Sequence, residues 1–233
     1  MQTLSVIIPA YNEERTIRDL IARVQAVDLG IVKKDIIVVD DASKDTTREI
    51  VKSIPGIRSI FHERNLGKGG ALKTGIRAAS GDFVIFQDAD LEYDPMDYPA
   101  MIQPMREGNA AWTNGVRIAP TNDPRLRTFH GWLNWLGNHT ITWITNLLYR
   151  HNAREYEGCY KAFPKSLLDS VEVVTNDFDF DNELVCKLLM RGIKPVDVPI
   201  HYTPRDYGEG KHIHWKHGFK ILGTIVRLRL TRS

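Results

Sequence analysis

The sequence contains little cysteine and no export signal. Its two cysteines, Cys159 and Cys186, have no paired spacing, and the N-terminal residues do not form a signal peptide. We therefore expect both thiols to be reduced and without a catalytic role, in a cytoplasmic protein.

Net charge is also small. Thirty-one Lys and Arg residues against 29 Asp and Glu give a net charge of +2, too little to indicate a nucleic-acid partner. The distribution is uneven, because no acidic residue follows Glu209. The basic residues beyond that point are Lys211, Lys216, Lys220, Arg227, Arg229 and Arg232. We predict a basic amphipathic helix from Trp215 to Leu230, which favours an anionic membrane surface.

Long hydrophobic runs are absent as well. Between His130 and Arg150 the chain has no Lys, Arg, Asp or Glu, but polar Asn and Thr residues make the segment too polar to span a bilayer. Its apolar residues recur at helical spacing: Trp132, Leu136, Trp143, Ile144, Leu147 and Leu148. Such a helix could lie at a membrane interface or line a lipid channel. A helix simply packed on the sheet fits equally well.

Two nucleotide-binding signatures are missing. No Gly-x-Gly-x-x-Gly follows the first strand, which counts against a dinucleotide dehydrogenase. The segment from Asn65 to Gly70 lacks the spacing and the Lys-Ser/Thr pair of a Walker A loop, although its backbone N–H groups and Lys68 could still approach a phosphate.

Short apolar strands alternate with amphipathic helices along the chain. This pattern is typical of an α/β fold, and 233 residues with 42% hydrophobic usage suit one domain. We predict that Asn12 and Ser43 cap the first two helices. Pro195 and Pro199 mark the last strand as an edge strand.

The stretch from Asp82 to Glu92 carries the strongest chemical signal. Phe83 to Phe86 reads as a buried parallel strand, and Asp88, Asp90 and Glu92 follow it at alternate positions. Ligands bind beyond the carboxyl ends of such strands, and these carboxylates could share Mg²⁺ or Mn²⁺. A solvated acidic turn is the alternative.

Four motifs follow the first four strands in order. They are Pro9-Ala-Tyr-Asn-Glu13, Val39-Asp-Asp-Ala-Ser43-Lys-Asp45, Asn65-x-Gly-Lys-Gly69 and Asp88-Ala-Asp90. Together they resemble the nucleotide-sugar half of family 2 glycosyltransferases of the GT-A fold. Residues 132–149, 157–161, 180–183 and 204–211 extend the resemblance to the dolichyl-phosphate mannose synthase-like branch of polyprenyl-phosphate glycosyltransferases. The resemblance covers residues 3–230.

The resemblance implies a single GT-A domain with a Rossmann-like, mostly parallel sheet flanked by helices. Residues 1–117 would form the nucleotide-sugar half, 118–210 the acceptor half and 211–233 the basic amphipathic C-terminal helix. It also implies inverting, metal-dependent sugar transfer from a GDP- or UDP-linked donor to a polyprenyl phosphate, dolichyl or undecaprenyl. The enzyme would be peripheral on the cytoplasmic face of the membrane, and a homo-oligomer is compatible with this.

The resemblance also assigns roles to individual residues. Those implied for nucleotide-sugar binding are Pro9, Tyr11, Glu13, Asp40, Asp41, Lys68, Asp88 and Lys211. Those implied for the metal are Asp88, Asp90 and Glu92; for catalysis Asp90, Arg117 and Arg205; and for an acceptor phosphate Arg117 and Arg127.

The identity of the acceptor stays open at this point. Relatives often have Asp-Met-Glu-Thr where this chain reads Glu155-Tyr-Glu-Gly158, and many add transmembrane helices. A hydroxyl acceptor would need a general base, for which Asp181 or Glu183 is the candidate, whereas a phosphate with a second pKa of about 6 needs none. A catalytically inactive sugar-nucleotide binding module is a further alternative.

Overall fold

The described part of the chain comprises residues 1–118, 129–204 and 215–231 of a computed structural model; at 129–130, 133–134 and 215–217 only the backbone is described. The strands are β1 Thr3–Ala10, β2 Lys33–Asp40, β3 Arg58–Phe61, β4 Phe83–Phe86, β5 Thr113–Arg117, β6 Lys161–Pro164 and β7 Val196–Ile200. The helices are α1 Ile17–Ala26, α2 Thr47–Ser53, α3 Lys68–Ala78, α4 Tyr98–Arg106, α5 Phe129–Tyr149, α6 Lys165–Asp169, α7 Phe180–Met190 and α8 Trp215–Thr231.

The seven strands form one sheet in the order β3-β2-β1-β4-β6-β5-β7. Every strand is parallel except β6, which is antiparallel to both of its neighbours, β4 and β5. Val6, Ile7 and Ile8 of β1 are fully buried, as expected for a parallel strand covered on both faces. The predicted single-domain α/β fold with a mostly parallel sheet is confirmed, and β7 lies at one edge.

The interior strand β1 lies where the connections of the sheet diverge. β2 and β3 continue on one side of it and β4 on the other. A crevice forms at the carboxyl ends of strands at such a switch point. The motifs that follow β1, β2 and β4 therefore meet at one edge of the sheet.

The two predicted helix caps have other roles. α1 begins at Ile17 and α2 at Thr47, several residues after Asn12 and Ser43. Asn12 lies in the left-handed region, with φ 57°. Its N–H donates to Oγ of Ser43 at 2.9 Å, and its Oδ1 accepts the Lys44 N–H at 2.8 Å. These side chains brace the loops after β1 and β2 against each other, because short polar side chains bond to nearby backbone as readily in loops as at helix ends.

Helices α5 and α8 pack against each other beside the sheet. α8 buries Ile221, Ile225 and Leu228 and exposes the opposite face. The exposed apolar side chains of the two helices include Trp132, Trp135, Leu136, Trp143 and Leu147 on α5 and Phe219, Val226 and Leu230 on α8. Within the described ranges, no helix combines the length and apolar character needed to cross a bilayer.

Candidate active site

A cavity of about 830 Å³ opens at the carboxyl ends of β1 and β4. The predicted site residues that line it are Pro9, Tyr11, Glu13, Asp41, Lys68, Asp88, Asp90, Glu92, Arg117 and Asp181. Residues from six separate stretches of sequence thus share one site. Arg127, Arg205 and Lys211, which were also predicted, lie outside the described residues.

Lys68 and Asp88 form the charged centre of the cavity. Lys68 is the first residue of α3, and its Nζ lies 2.6 Å from Oδ1 of Asp88, just past the end of β4. Burial lowers the pKa of the lysine, but the attraction of the Asp88 carboxylate outweighs it and the pKa lies above its ordinary value. The ammonium group is therefore permanently charged beside the carboxylates.

The three predicted metal ligands are not all directed to one point. Glu92 is 8% exposed, and its Oε2 accepts the hydroxyl of Tyr202 at 2.9 Å, while its N–H donates to Oδ1 of Asp90 at 3.1 Å. Within the part of the chain that is described, no three acidic, His or Cys side chains cluster as a metal site. Mg²⁺ is commonly held by one or two carboxylates together with substrate phosphates. Asp88 and Asp90 fit that pattern.

Glu92 instead connects the acidic turn to the end of β7. Its carbonyl oxygen accepts the Thr203 N–H at 2.8 Å, and Tyr93 forms an antiparallel bridge with Tyr202. With the bond from the Tyr202 hydroxyl, the turn and residues 202–203 form one unit.

Asp41 holds the glycine loop in place. Its two carboxylate oxygens accept the N–H groups of Leu66 and Gly67 at 2.8 and 2.9 Å. Nδ1 of His62 lies 2.7 Å from Oδ1, and Nε2 of the same ring lies 3.0 Å from Oγ1 of Thr74. Asp41 lies at the cavity wall, where its carboxylate fixes the position of the loop.

Asp40 does not line the cavity. It is fully buried, and its Oδ2 accepts Nε of Arg48 at 3.0 Å. Asp40 is the last residue of β2, and Asp41 is the first residue of the loop that follows it; Asp41 lines the cavity and Asp40 does not. Of the two, Asp41 is the one directed to the site.

The glycines of the loop allow a close backbone approach. A Cβ atom at Gly67 would lie 2.4 Å from the Asn176 carbonyl oxygen, and one at Gly69 would lie 2.7 Å from Cβ of Phe180. The Gly70 N–H donates to the same Asn176 oxygen at 3.0 Å. The loop therefore packs directly on residues 176–180. This close packing explains why glycine is needed at these positions without any contact to phosphate.

Arg117 lies at the end of β5 and faces the cavity. Its guanidinium forms an ion pair with one oxygen of the Glu155 carboxylate. The backbone N–H of Arg117 donates to the other oxygen of that carboxylate at 3.2 Å. The guanidinium carbon lies 4.8 Å from the ring centre of Tyr202. Arg117 is thus held ready by a carboxylate that an incoming anion can replace.

Glu157 is a cavity residue that was not among the predicted site residues. Burial raises the pKa of Glu157. Part of that rise is offset by a hydrogen bond from Nδ2 of Asn182 to Oε1, at 2.9 Å, and by the nearby positive charges of Lys161 and Arg117. Lys161 is itself fully buried and donates to the carbonyl oxygens of Tyr156 and Gly158. No spacing of acids singles out Glu157, so only its place in the resemblance segment 157–161 could have indicated it.

Asp181 and Glu183, the two alternative general bases, differ sharply. Asp181 lines the cavity, and its Oδ1 is buried without a hydrogen-bond partner among the described residues. Glu183 faces away and accepts the N–H groups of Val174 and Thr175. Burial would raise its pKa, but the Lys187 ion pair and those N–H groups lower it to about 2. Glu183 is thus bound by backbone N–H groups and Lys187 and is not among the residues that line the cavity, so of the two predicted bases Asp181 is the better placed.

The end of the cavity between α5 and α8 is mostly apolar, with Asn138 and Thr140 as its polar residues. It is lined by Leu136, Gly137, Asn138, Thr140 and Ile141 of α5 and by Gly218, Phe219, Ile221 and Leu222 of α8. One continuous space therefore joins the carboxylates after β4 to the gap between these helices.

Both cysteines are buried free thiols. Burial raises the pKa of Cys186 to about 12 and that of Cys159 well above its ordinary value. Thiols with raised pKa values are poor nucleophiles. Burial and raised pKa values thus favour the expectation that neither thiol takes part in catalysis.

Fold and cavity together are typical of α/β enzymes, which bind their ligands at the carboxyl edge of a parallel sheet. The structure resembles glucosyl-3-phosphoglycerate synthase of Mycobacterium tuberculosis in complex with uridine diphosphate. The TM-score is 0.77 and the identity 20%, over 98% of this chain and 80% of that one. At this identity the similarity shows the fold.

The family model of glycosyl transferase family 2 matches residues 5–171. The chain belongs to this family, as the motifs predicted, and it is a glycosyltransferase. It is 27% identical to a UDP-N-acetylglucosamine–dolichyl-phosphate N-acetylglucosaminyltransferase of Methanococcus voltae, over 97% of this chain and 95% of that protein. It is 26% identical to glycosyltransferase AglD of Haloferax volcanii, over 87% of this chain but only 33% of that protein. The name of the Methanococcus relative agrees with the predicted branch.

Proposed function

We propose that this glycosyltransferase transfers a sugar, with inversion, from a nucleotide sugar to a polyprenyl phosphate at a membrane surface. The observation that carries the proposal is one continuous cavity, which joins Asp88 and Asp90 to Arg117 and then to the mostly apolar gap between α5 and α8. A phosphate-headed isoprenoid needs a cation at one end and an apolar path at the other. The name of the Methanococcus relative supports the same acceptor class.

The donor would lie at the end of the cavity formed by Pro9, Tyr11 and Glu13. Its diphosphate would face Lys68 and the carboxylates of Asp88 and Asp90. The Mycobacterium synthase, which shares the fold, has been crystallised with Mn²⁺ and UDP-glucose. A divalent cation held there would neutralise the charge that grows on the departing diphosphate.

Arg117 would bind the acceptor phosphate. A phosphate can take two parallel hydrogen bonds from a guanidinium. In this structure the Glu155 carboxylate occupies that position, with one oxygen on the guanidinium and the other on the Arg117 backbone N–H. The phosphate oxygen attacks the anomeric carbon, the bond from that carbon to the diphosphate breaks, and the configuration inverts. With a second pKa of about 6, the phosphate arrives ionised and no side chain has to remove a proton.

The exposed side of α5 and α8 would face the membrane. Trp143, Leu147 and Phe219 are each more than half exposed, and Lys220 and Arg227 lie on the exposed side of α8. Aromatic side chains suit the headgroup layer, and basic ones attract anionic lipid by about 1 kcal/mol each. Attachment of the peripheral enzyme to the cytoplasmic face would place the mouth of the cavity near its lipid.

A hydroxyl acceptor is the second candidate, and Asp181 is the observation that favours it. Asp181 lines the cavity, and its buried Oδ1 has no hydrogen-bond partner among the described residues, so its carboxylate could accept a proton from an attacking hydroxyl. The two candidates therefore depend on different residues. A phosphate acceptor requires Arg117 and a hydroxyl acceptor requires Asp181.

The test is release of nucleoside diphosphate by the purified protein with a panel of nucleotide sugars, Mn²⁺ and dolichyl or undecaprenyl phosphate in detergent. We expect Arg117→Ala to lower the rate by about 100-fold or more and Asp181→Asn by less than about fivefold. Arg154→Ala, which removes an exposed arginine outside the cavity, is the control for loss of charge.

Two further measurements complete the test. Asp90→Ala and addition of EDTA should each remove most of the activity, because a strand-end carboxylate contributes little to the core but would hold the cation. Transfer to a soluble glycan but to neither lipid, together with the reverse order of the Arg117 and Asp181 variants, would establish the hydroxyl acceptor instead.

A further inference from the structure

Gln87 is a fully buried polar side chain between the sheet and the acidic turn. Its own N–H donates to the Ile7 carbonyl oxygen at 2.9 Å, which continues the β1–β4 ladder by one residue. Its Nε2 donates to the carbonyl oxygen of Asp88 at 2.9 Å. Gln87 is thus bonded to the rigid sheet through its backbone and to the turn through its side chain.

Two tyrosines fix the direction of this amide. The hydroxyls of Tyr98 and Tyr160 both donate to Oε1 of Gln87, at 2.6 and 2.5 Å. Tyr98 comes from α4 and Tyr160 from the residue before β6, and both are fully buried. If the amide were reversed, its oxygen would face the Asp88 carbonyl oxygen, and the two would repel. Its NH₂ group would then face the two tyrosine hydroxyls, which would lose their acceptor. The network therefore permits one orientation, with Nε2 toward the turn.

The acidic turn needs such support. Leu91 has φ 62°, a left-handed conformation that is unfavourable for a residue with a branched side chain. Inside the turn, the described hydrogen bond is that of the Glu92 N–H to Oδ1 of Asp90. A turn of this kind keeps one shape only when its surroundings hold it.

We propose that Gln87, aimed by Tyr98 and Tyr160, is a positioning residue: it fixes the Asp88 end of the turn, as Tyr202 and Thr203 fix the Glu92 end, and so helps to hold Asp88 and Asp90 for the cation and diphosphate. The proposal rests on the proposed function only in that it takes these two carboxylates as the cation ligands. Residues that orient metal ligands without touching the metal change affinity or activity by about 10–100-fold when they are replaced. The effect of Gln87 is expected in that range.

The experiment is Mn²⁺ binding to the whole chain, followed by electron paramagnetic resonance, with UDP and separately with GDP. Gln87→Leu should weaken Mn²⁺ binding in the nucleotide complex by about 10-fold or more. Tyr98→Phe and Tyr160→Phe, which each remove one hydroxyl and keep the ring, should weaken it by about two- to fivefold. The phenylalanine variants keep the test valid even if Gln87→Leu does not fold.

Thr113→Val is the matched control. It also removes a fully buried hydrogen bond, from Oγ1 of Thr113 to the Met101 carbonyl oxygen at 2.7 Å, but it has no contact with the turn. Amide hydrogen exchange at residues 88–92 of the metal-free protein should speed up in Gln87→Leu and stay unchanged in Thr113→Val. Equal Mn²⁺ affinity in the wild type and in all three network variants would overturn the proposal.

Failure of the proposed function gives a different result. If the wild type binds Mn²⁺ with nucleotide and the network variants bind it more weakly, the role of Gln87 stands even when no polyprenyl phosphate is glycosylated. If the wild type binds no Mn²⁺ with either nucleotide, both proposals are overturned.

Discussion

Replacement of Glu183 by Gln separates a structural carboxylate from a catalytic one. Glu183 is 1% exposed, accepts two backbone N–H groups at 3.1 and 2.9 Å, and pairs with Lys187 at 2.7 Å. Burial would raise its pKa, but the Lys187 and backbone donors lower it from 4.5 to about 2. At about 1.4 kcal/mol per pH unit, that lowering stabilises the folded chain by roughly 3 kcal/mol. Gln keeps the shape and one acceptor oxygen, so Glu183→Gln should cost about 2–3 kcal/mol at pH 7.

The sign of the pH dependence follows from the direction of this pKa. Because the folded-state pKa of Glu183 lies below its unfolded value, its stabilisation is complete above about pH 4.5 and is lost as the pH falls toward about 2. The stability difference between the wild type and Glu183→Gln should be constant near neutral pH and shrink through that window. Urea denaturation at a series of pH values measures it.

The rate of sugar transfer by Glu183→Gln at pH 7 tests whether Glu183 is structural or catalytic. Sugar transfer by folded Glu183→Gln should stay within about twofold of the wild type, because the side chain faces away from the cavity. Glu63→Gln, an exposed carboxylate, is the control and should change neither stability nor rate. A fall in kcat of about 100-fold with unchanged stability is the signature of a general base, and it would refute the structural assignment.

Three further predictions concern the loop and the two outer helices. Gly69→Ala should lower the free energy of unfolding by about 1–3 kcal/mol, because the new Cβ would lie 2.7 Å from a side chain of α7. Gly223→Ala is the control: open space surrounds this position, so the change should be neutral or slightly stabilising. Urea denaturation compares the two variants. Lys220→Met should cost up to about 1 kcal/mol at low salt, because it removes an ion pair at 2.9 Å, and the loss should vanish at high salt in the same assay. Trp143→Ser combined with Phe219→Ser should weaken flotation with anionic liposomes yet change the free energy of unfolding by less than about 0.5 kcal/mol, because these side chains are 65% and 68% exposed. Unchanged flotation would assign this face to another partner.

The first four strands could be predicted from the sequence because their apolar runs are local signals. The strand from Phe83 to Phe86 and the carboxylates that follow it lie where the pattern placed them. The relation of Asp40 to Asp41 could not be predicted in the same way, because which of two neighbouring residues faces the ligand depends on the register of the whole sheet.

Contacts between distant residues account for most of what the sequence missed. Gly69 touches Phe180, more than 100 positions away, and Tyr202 reaches back to Glu92. Nothing in the local spacing marks such a pair. The helix caps predicted at Asn12 and Ser43 were wrong for a related reason. Both residue types are common helix caps, but here each residue bonds to the loop that carries the other, a contact that the local sequence does not reveal.

The antiparallel strand β6 has a consequence for how the chain is made. β4 ends at Phe86, but β6, its partner in the sheet, begins at Lys161. At roughly 5–20 residues per second, about 75 residues, or some 4–15 s of synthesis, pass before the open edge of β4 is covered. An uncovered apolar edge strand pairs readily with other chains. Ribosome-bound chains that stop shortly before β6 should therefore be the most prone to aggregate and the most dependent on chaperones.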